Sequence, residues 1–142
     1  ATKDDFRERL KTYPNHFLLL FLEGKLVAFI DGFCTDDADL TDEMYENPNL
    51  HDESGDWQMI FGINTHPDYR MQGNASKLMD CFIIQAKQEK RLGVVLTCKK
   101  ELLDYYSKFG FVDEGISESV HGGVVWNQMR LAFKGELGCN KY

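Results

Sequence analysis

The stretch Ile60-Phe61-Gly62-Ile63-Asn64-Thr65-His66-Pro67-Asp68-Tyr69-Arg70-Met71-Gln72-Gly73-Asn74-Ala75-Ser76 constrains the fold more than any other part of the chain. It reads as a strand, a tight loop and the first turn of a helix. Met59 to Ile63 is an apolar run with a β-branched end, and Pro67 and Gly73 punctuate the loop. Ala75, Leu78, Met79, Phe82, Ile83 and Ala86 then recur at spacings of three and four, the period of a helix with one apolar face. Such a junction aims main-chain N–H groups outward at the positive end of the helix dipole, a ready seat for a phosphate or pyrophosphate. Gly73 and the small Ala75 leave that backbone uncovered.

The rest of the chain reads as a mixed α/β pattern in one domain over residues 1–142. Thr2 to Thr12 is expected to be a short amphipathic helix ended by Pro14-Asn15. His16 to Leu22 and Leu26 to Phe33 read as an antiparallel hairpin about Glu23-Gly24-Lys25. Residues 34–56 form an acidic insertion, with a helical turn expected over Leu40 to Tyr45. Trp57 to Thr65 is the central strand, Gly73 to Arg91 the main helix, and Val94 to Cys98 a buried strand. A helix joins those two strands, so they are expected to lie parallel. A helix over Lys100 to Phe109, strands at Phe111–Ser117 and Gly123–Phe133, a turn near His121 and a tail over 135–142 complete the reading.

Composition narrows the function classes. The net charge of −7 argues against nucleic acid as a partner. Nine of the 23 acids lie between Cys34 and Asp56, where there is no Lys or Arg; the remaining 14 face 16 bases, so the acidic excess is local. That insertion reads first as a solvated loop and second as an attractor of cationic amines. No apolar run reaches the length of a membrane span, and the charged first ten residues do not make a signal peptide. Cys34, Cys81, Cys98 and Cys139 form no CxxC or Cys/His cluster. The expectation is a reduced cytoplasmic protein without disulfide or zinc, with Cys81 and Cys98 as buried neutral thiols. No G-x-x-x-x-G-K-[ST] is present, which removes P-loop chemistry.

Arg70-Met71-Gln72-Gly73-Asn74-Ala75 resembles the Q/R-x-x-G-x-G/A signature of the GNAT superfamily of N-acetyltransferases. His66-Pro67-Asp68-Tyr69-Arg70 resembles the run that leads into that signature, and Tyr105-Tyr106-Ser107-Lys108-Phe109-Gly110-Phe111 resembles the family's Y-x-x-x-G-F element. Glu23 to Gly32 adds further similar wording. The resemblance runs over residues 16–133 and is nearest to enzymes of the arylalkylamine and small-amine type. It implies a mostly antiparallel mixed sheet with helices on both faces. It also implies that the family's first strand and helix, which often shape the acceptor pocket, belong ahead of Thr2; either this sequence is a fragment that starts after them or the first strand is absent.

The function the resemblance implies is transfer of the acetyl group of acetyl-CoA to a primary amine of a small molecule. The loop Arg70, Met71, Gln72, Gly73, Asn74, Ala75 and Ser76 would hold the pyrophosphate, and the backbone of Ile63, Asn64 and Thr65 would pair with the pantetheine arm, with Gly62 at a bulge or close approach. Tyr106 would be the general acid to the coenzyme A thiolate; a phenol near pKa 10 can serve a thiol near about 8.5. Tyr105 would point about 100° away, into core or surface. The base is open. The arylalkylamine enzymes carry histidines where this chain has Met59 and Phe61. Asp56, Glu53 and His51 read first as solvated loop residues, His16 as a strand-edge residue, and His66 and His121 as turn residues. No metal is expected, and a homodimer is, since family members often pair. A catalytically silent acyl-CoA-binding module of the same fold is the alternative.

Overall fold

In the computed structural model, which describes residues 2–119 and 121–134, apolar strands sort into two sheets. Helix α1 (Lys3–Thr12) opens on a reciprocal cap. The Thr2 hydroxyl accepts from the Asp5 amide and the Asp5 carboxylate accepts from the Thr2 amide, which satisfies two donors that a helix start leaves open. β1 (Phe17–Leu22) and β2 (Lys25–Asp31) form the expected hairpin; Glu23 and Gly24 turn it, both at positive φ, the twist that suits a two-residue loop. There follow β3 (Cys34–Thr35), α2 (Asp42–Glu46), β4 (Trp57–Met59), β5 (Gly62–Thr65) and α3 (Asn74–Gln88). β6 (Gly93–Cys98), α4 (Leu103–Ser107), β7 (Val112–Ile116) and β8 (Asn127–Ala132) end the described elements. The tail expected over 135–142, with Cys139, lies outside the described residues.

The strand expected over Trp57 to Thr65 is two strands. β4 pairs parallel with β6, and the Ile60 amide still donates to the Val95 carbonyl. At the next residue the chain changes partner: the Phe61 amide donates to the Asp31 carbonyl, and β5 runs antiparallel to β2. One sheet thus has the order β1-β2-β5 and the other β3-β4-β6-β8-β7. β5 ends the first sheet and leaves β6 behind, so a gap opens between them. Gly32, just past β2, makes this crossing tight. A Cβ there would fall 1.7 Å from the Met59 carbonyl oxygen, so only glycine passes.

Both faces of β6 are covered. Val94, Leu96 and Cys98 join Leu78, Met79 and Phe82 of α3 in one core. Val95, on the other side, meets Tyr13, Phe33, Leu40, Met44 and Met59. Leu40 and Met44 belong to the acidic insertion and are 3% and 2% exposed, so this segment is a folded cover and not the solvated loop first expected. Its acids stay outside while its two apolar side chains, four residues apart, reach the core. Cys81 is exposed on α3, contrary to expectation, because it falls off the stripe that carries Leu78, Met79 and Phe82. Cys34 and Cys98 are buried, and burial pushes their thiols up to about 12 and about 11.

Candidate active site

The loop before α3 is held in shape from inside. The Asn74 side chain is buried and donates to the Tyr69 carbonyl at 2.9 Å. Gly73 stands at the helix N-cap with φ +80°, and nothing lies within 4 Å of where its Cβ would be. With glycine in that position no side chain caps the helix, so the first-turn amides of this 15-residue helix face outward. Met71 also takes positive φ, at 60°, and is fully exposed. The Arg70 Nε donates to the Thr65 carbonyl at 3.3 Å, tying the loop to the end of β5.

A cleft of about 400 Å³ lies over these groups. Ile63, Asn64 and Thr65 of the free edge of β5 line one wall, and Arg70, Met71, Gly73, Asn74, Ala75 and Ser76 line the other. Gln72 is the one member of the loop signature that does not line it; its amide turns back to the Asp68 carbonyl. An unpaired strand edge beside an uncapped helix start can take an extended ligand along the strand and an anion at its end.

The two tyrosines of α4 divide differently from the expectation. Tyr105 lines the cleft, with its hydroxyl 3.0 Å from Ser76 Oγ, and is not confined to core or surface. Tyr106 is not among the cleft-lining residues; it packs against the main core with its ring 6.1 Å from that of Phe111. Burial, with the Cys98 thiol next, pushes its phenol up to about 12.

On the far side of Asn64 a second cavity of about 490 Å³ opens between α1, α2 and the chain crossing at Phe61. Its floor carries an ion pair that no motif announced. Arg9 Nη1 donates to Asp31 Oδ2 at 3.2 Å, and both side chains are almost wholly buried. Arg9 also donates to the Tyr45 carbonyl and lies over the rings of Phe6 and Phe61. Desolvation raises the Asp31 carboxyl to about 6, against the pull of Arg9. A lone acid closing the apolar strand Leu26 to Asp31 is the sequence signal that could have found it.

The histidines are less scattered than expected. His16 is fully buried and meets Gln58 through Nδ1 and Glu53 through Nε2, while His51 Nε2 lies 2.9 Å from the same Glu53. The ring nitrogens of His16 and His51 and the Glu53 carboxylate fall within 4.8 Å of one another. His51 Nδ1 accepts from the Cys34 amide, so its Nε2 carries the hydrogen given to Glu53 and offers no lone pair to a metal. His51 is thus a half-buried structural partner and not a solvated loop residue, while Glu53 stays largely exposed, as expected, and still accepts from both histidines. His66 behaves as expected, accepting from the Asp68 amide in a turn. Among the described residues no helix is long and apolar enough to cross a membrane.

Residues 1–111 match the model of the acetyltransferase (GNAT) family, and this chain belongs to that family. Serotonin N-acetyltransferase from Mesocricetus auratus is 29% identical over 132 residues, which is 92% of this chain and 62% of that protein. The human protein of the same name is 26% identical over 133 residues. The chain thus spans a little under two thirds of the length of these curated relatives. Among solved structures, the loading GNATL domain of CurA from Lyngbya majuscula superposes with a TM-score of 0.77 at 18% identity, covering 93% of this chain and 83% of that one. The ribosomal-protein-S18-alanine N-acetyltransferase from Escherichia coli gives 0.67 at 18% identity, covering 100% and 83%. These two likenesses bear out the expected mixed-sheet fold.

Proposed function

We propose that this domain transfers the acetyl group of acetyl-CoA to a primary amine of a small molecule. The observation that carries this reading is the single cleft shared by the free edge of β5 and the uncapped start of α3. The amides from Gly73 to Ser76 and the Arg70 side chain would receive the pyrophosphate, and Ile63 to Thr65 the pantetheine arm. The likeness to serotonin N-acetyltransferases favours an amine on an aromatic stem.

Bound acetyl-CoA supplies an activated thioester; the chain supplies position and protons. Tyr106 is the proton donor toward the leaving sulfur. Its phenol, pushed up to about 12, stays protonated at neutral pH. The Y-x-x-x-G-F resemblance supports this role; in the free protein Tyr106 packs on the core beside the cleft-lining Tyr105. The net movement of the proton is from the amine nitrogen to sulfur.

Calorimetric titration with acetyl-CoA should saturate, and thiol release should depend on an added primary amine from a panel that includes arylalkylamines. Binding without release over the whole panel would leave a silent acyl-CoA module instead. Gly73→Val places a β-branched residue at φ +80° and puts its methyls into the cleft. The strain costs about 1–2 kcal/mol, and acetyl-CoA affinity is expected to fall at least ~10-fold, as one or more charge-assisted amide contacts are lost. Unchanged affinity in a folded Gly73→Val protein would put the pyrophosphate elsewhere.

A further inference from the structure

Asp31 is 0% exposed, yet only half of its carboxylate is satisfied. Arg9 holds Oδ2, and Oδ1 has no hydrogen-bond partner among the described residues. A buried acceptor left open costs stability, so an open oxygen beside a cavity asks for a ligand. Asp31 lines the 490 Å³ cavity, and that cavity meets the cofactor cleft at Asn64, which lines both. Across the sheet Asp31 pairs with Gly62, the first residue of the diverging strand. A Cβ on Gly62 would lie 3.9 Å from Asp31 Oδ1 and 3.4 Å from Asn64 Nδ2, so the absent side chain leaves room between Oδ1 and the residue that both cavities share.

Resting on the acetyl-transfer reading, we propose that Asp31 is the catalytic base of this enzyme, with Oδ1 taking the proton from the attacking nitrogen. Arg9 is its positioning residue. The groups facing Asp31 are few. α1 contributes Arg9, the following turn Tyr13, α2 Tyr45 and β5 Asn64. Burial raises both phenols, which keeps them neutral, so among the described residues Arg9 is the one cation against the carboxylate. The N–C bond forms as the C–S bond breaks; the nitrogen's proton goes to Asp31 and then to water, and sulfur is protonated from Tyr106, which recovers its proton from water. The rings of Phe6, Tyr45, Phe61 and Trp126 in the same cavity, with Asp5 and Glu46, suit a primary ammonium on an aromatic or apolar stem. Apo distances for such a group tighten only when substrate is seated.

The test is the pH dependence of kcat/KM for the amine in wild type and Asp31→Asn. In the wild type the logarithm should rise with slope two below the Asp31 pKa of about 6, one unit from the amine and one from Asp31. Asp31→Asn should reduce the slope to one and lower kcat/KM ~100-fold or more at pH 7.5, with acetyl-CoA affinity unchanged. A folded Asp31→Asn protein that keeps slope two would overturn the proposal. Should that variant not fold, because Arg9 loses its partner, Gly62→Ala decides: it leaves the ion pair intact and sets a methyl 3.9 Å from Oδ1, in the space through which the attacking nitrogen would reach it. A fall of ~10-fold or more in kcat/KM for the amine, with acetyl-CoA affinity kept, supports the base, and an unchanged value refutes it. If the wild type binds acetyl-CoA but releases no thiol with any amine, the acetyl-transfer reading fails and the base with it.

Discussion

Arg91→Met is expected to lower the melting temperature by about 10 °C, a loss of roughly 3 kcal/mol in a domain of this size. Arg91 follows the main helix and is 8% exposed. Its Nη1 donates to the Glu53 carbonyl at 2.7 Å and the Gly55 carbonyl at 2.8 Å. Nη2 reaches the carboxylates of Glu53 and Glu89, and Nε reaches Glu89 again. Methionine fills much of the same volume but abandons two carbonyls held away from water, and those account for most of the loss. The carboxylate contacts count for less, since the Glu53 side chain is 63% exposed. Arg91→Lys should recover only part of the loss, because the three donors of an ammonium sit on one atom and cannot serve both carbonyls and also span the Glu53 and Glu89 carboxylates. A melting point within about 2 °C of wild type for Arg91→Met would show that the insertion is held by its other contacts, such as Leu40 and Met44 in the core and Glu53 with His16, and not by Arg91.

The same junction sets an acid response. Burial works to raise the Glu53 carboxyl, but the hydrogen bonds from His51 and His16 outweigh it and leave it below its ordinary 4.5. Its contribution is therefore present above pH 4.5 and fades as pH falls through the lowered folded value. Asp31 acts in the opposite sense. With its folded pKa raised to about 6, its contribution is full below 3.8 and is lost as pH rises through about 6.

What could be read from the chain alone divides along the range of the interactions involved. The loop from Arg70 to Ser76 was legible because its shape is local: a glycine at the helix cap, small residues after it, and an apolar stripe at helical period. The break in the central strand was not, because Ile60 and Phe61 look like any buried strand residues. Its cause is the partner exchange from Val95 to Asp31 and the close pass of Gly32, none of them near in sequence. The cavity proposed for the acceptor was hidden for the same reason. Arg9 and Asp31 are 22 residues apart, one on a helix whose periodicity marked only Phe6 and Leu10, the other at the end of an apolar strand. His16 reads as an edge residue because nothing adjacent to it hints at Gln58 and Glu53, 42 and 37 residues on. Motif wording located the helix carrying the two tyrosines, but wording cannot settle which ring faces the cleft.

Tyr106→Phe is therefore the measurement on which the acid assignment turns, and about a 100-fold fall in kcat is expected with acetyl-CoA affinity kept within about 3-fold. Removing one oxygen from a ring packed on Phe111 leaves the core in place, so the loss would report chemistry and not folding. Tyr105→Phe is the control that the structure supplies. It breaks the hydroxyl contact with Ser76 Oγ at the start of α3, a single hydrogen bond, so the cost is expected in the KM for acetyl-CoA at about 2- to 10-fold, with kcat little changed. The two phenols sit on neighbouring residues with their rings 5.1 Å apart, and only one of them lines the cleft in the free protein. If Tyr105→Phe costs kcat and Tyr106→Phe does not, the proton donor is the cleft-lining phenol, and the family's motif would have pointed one residue past it.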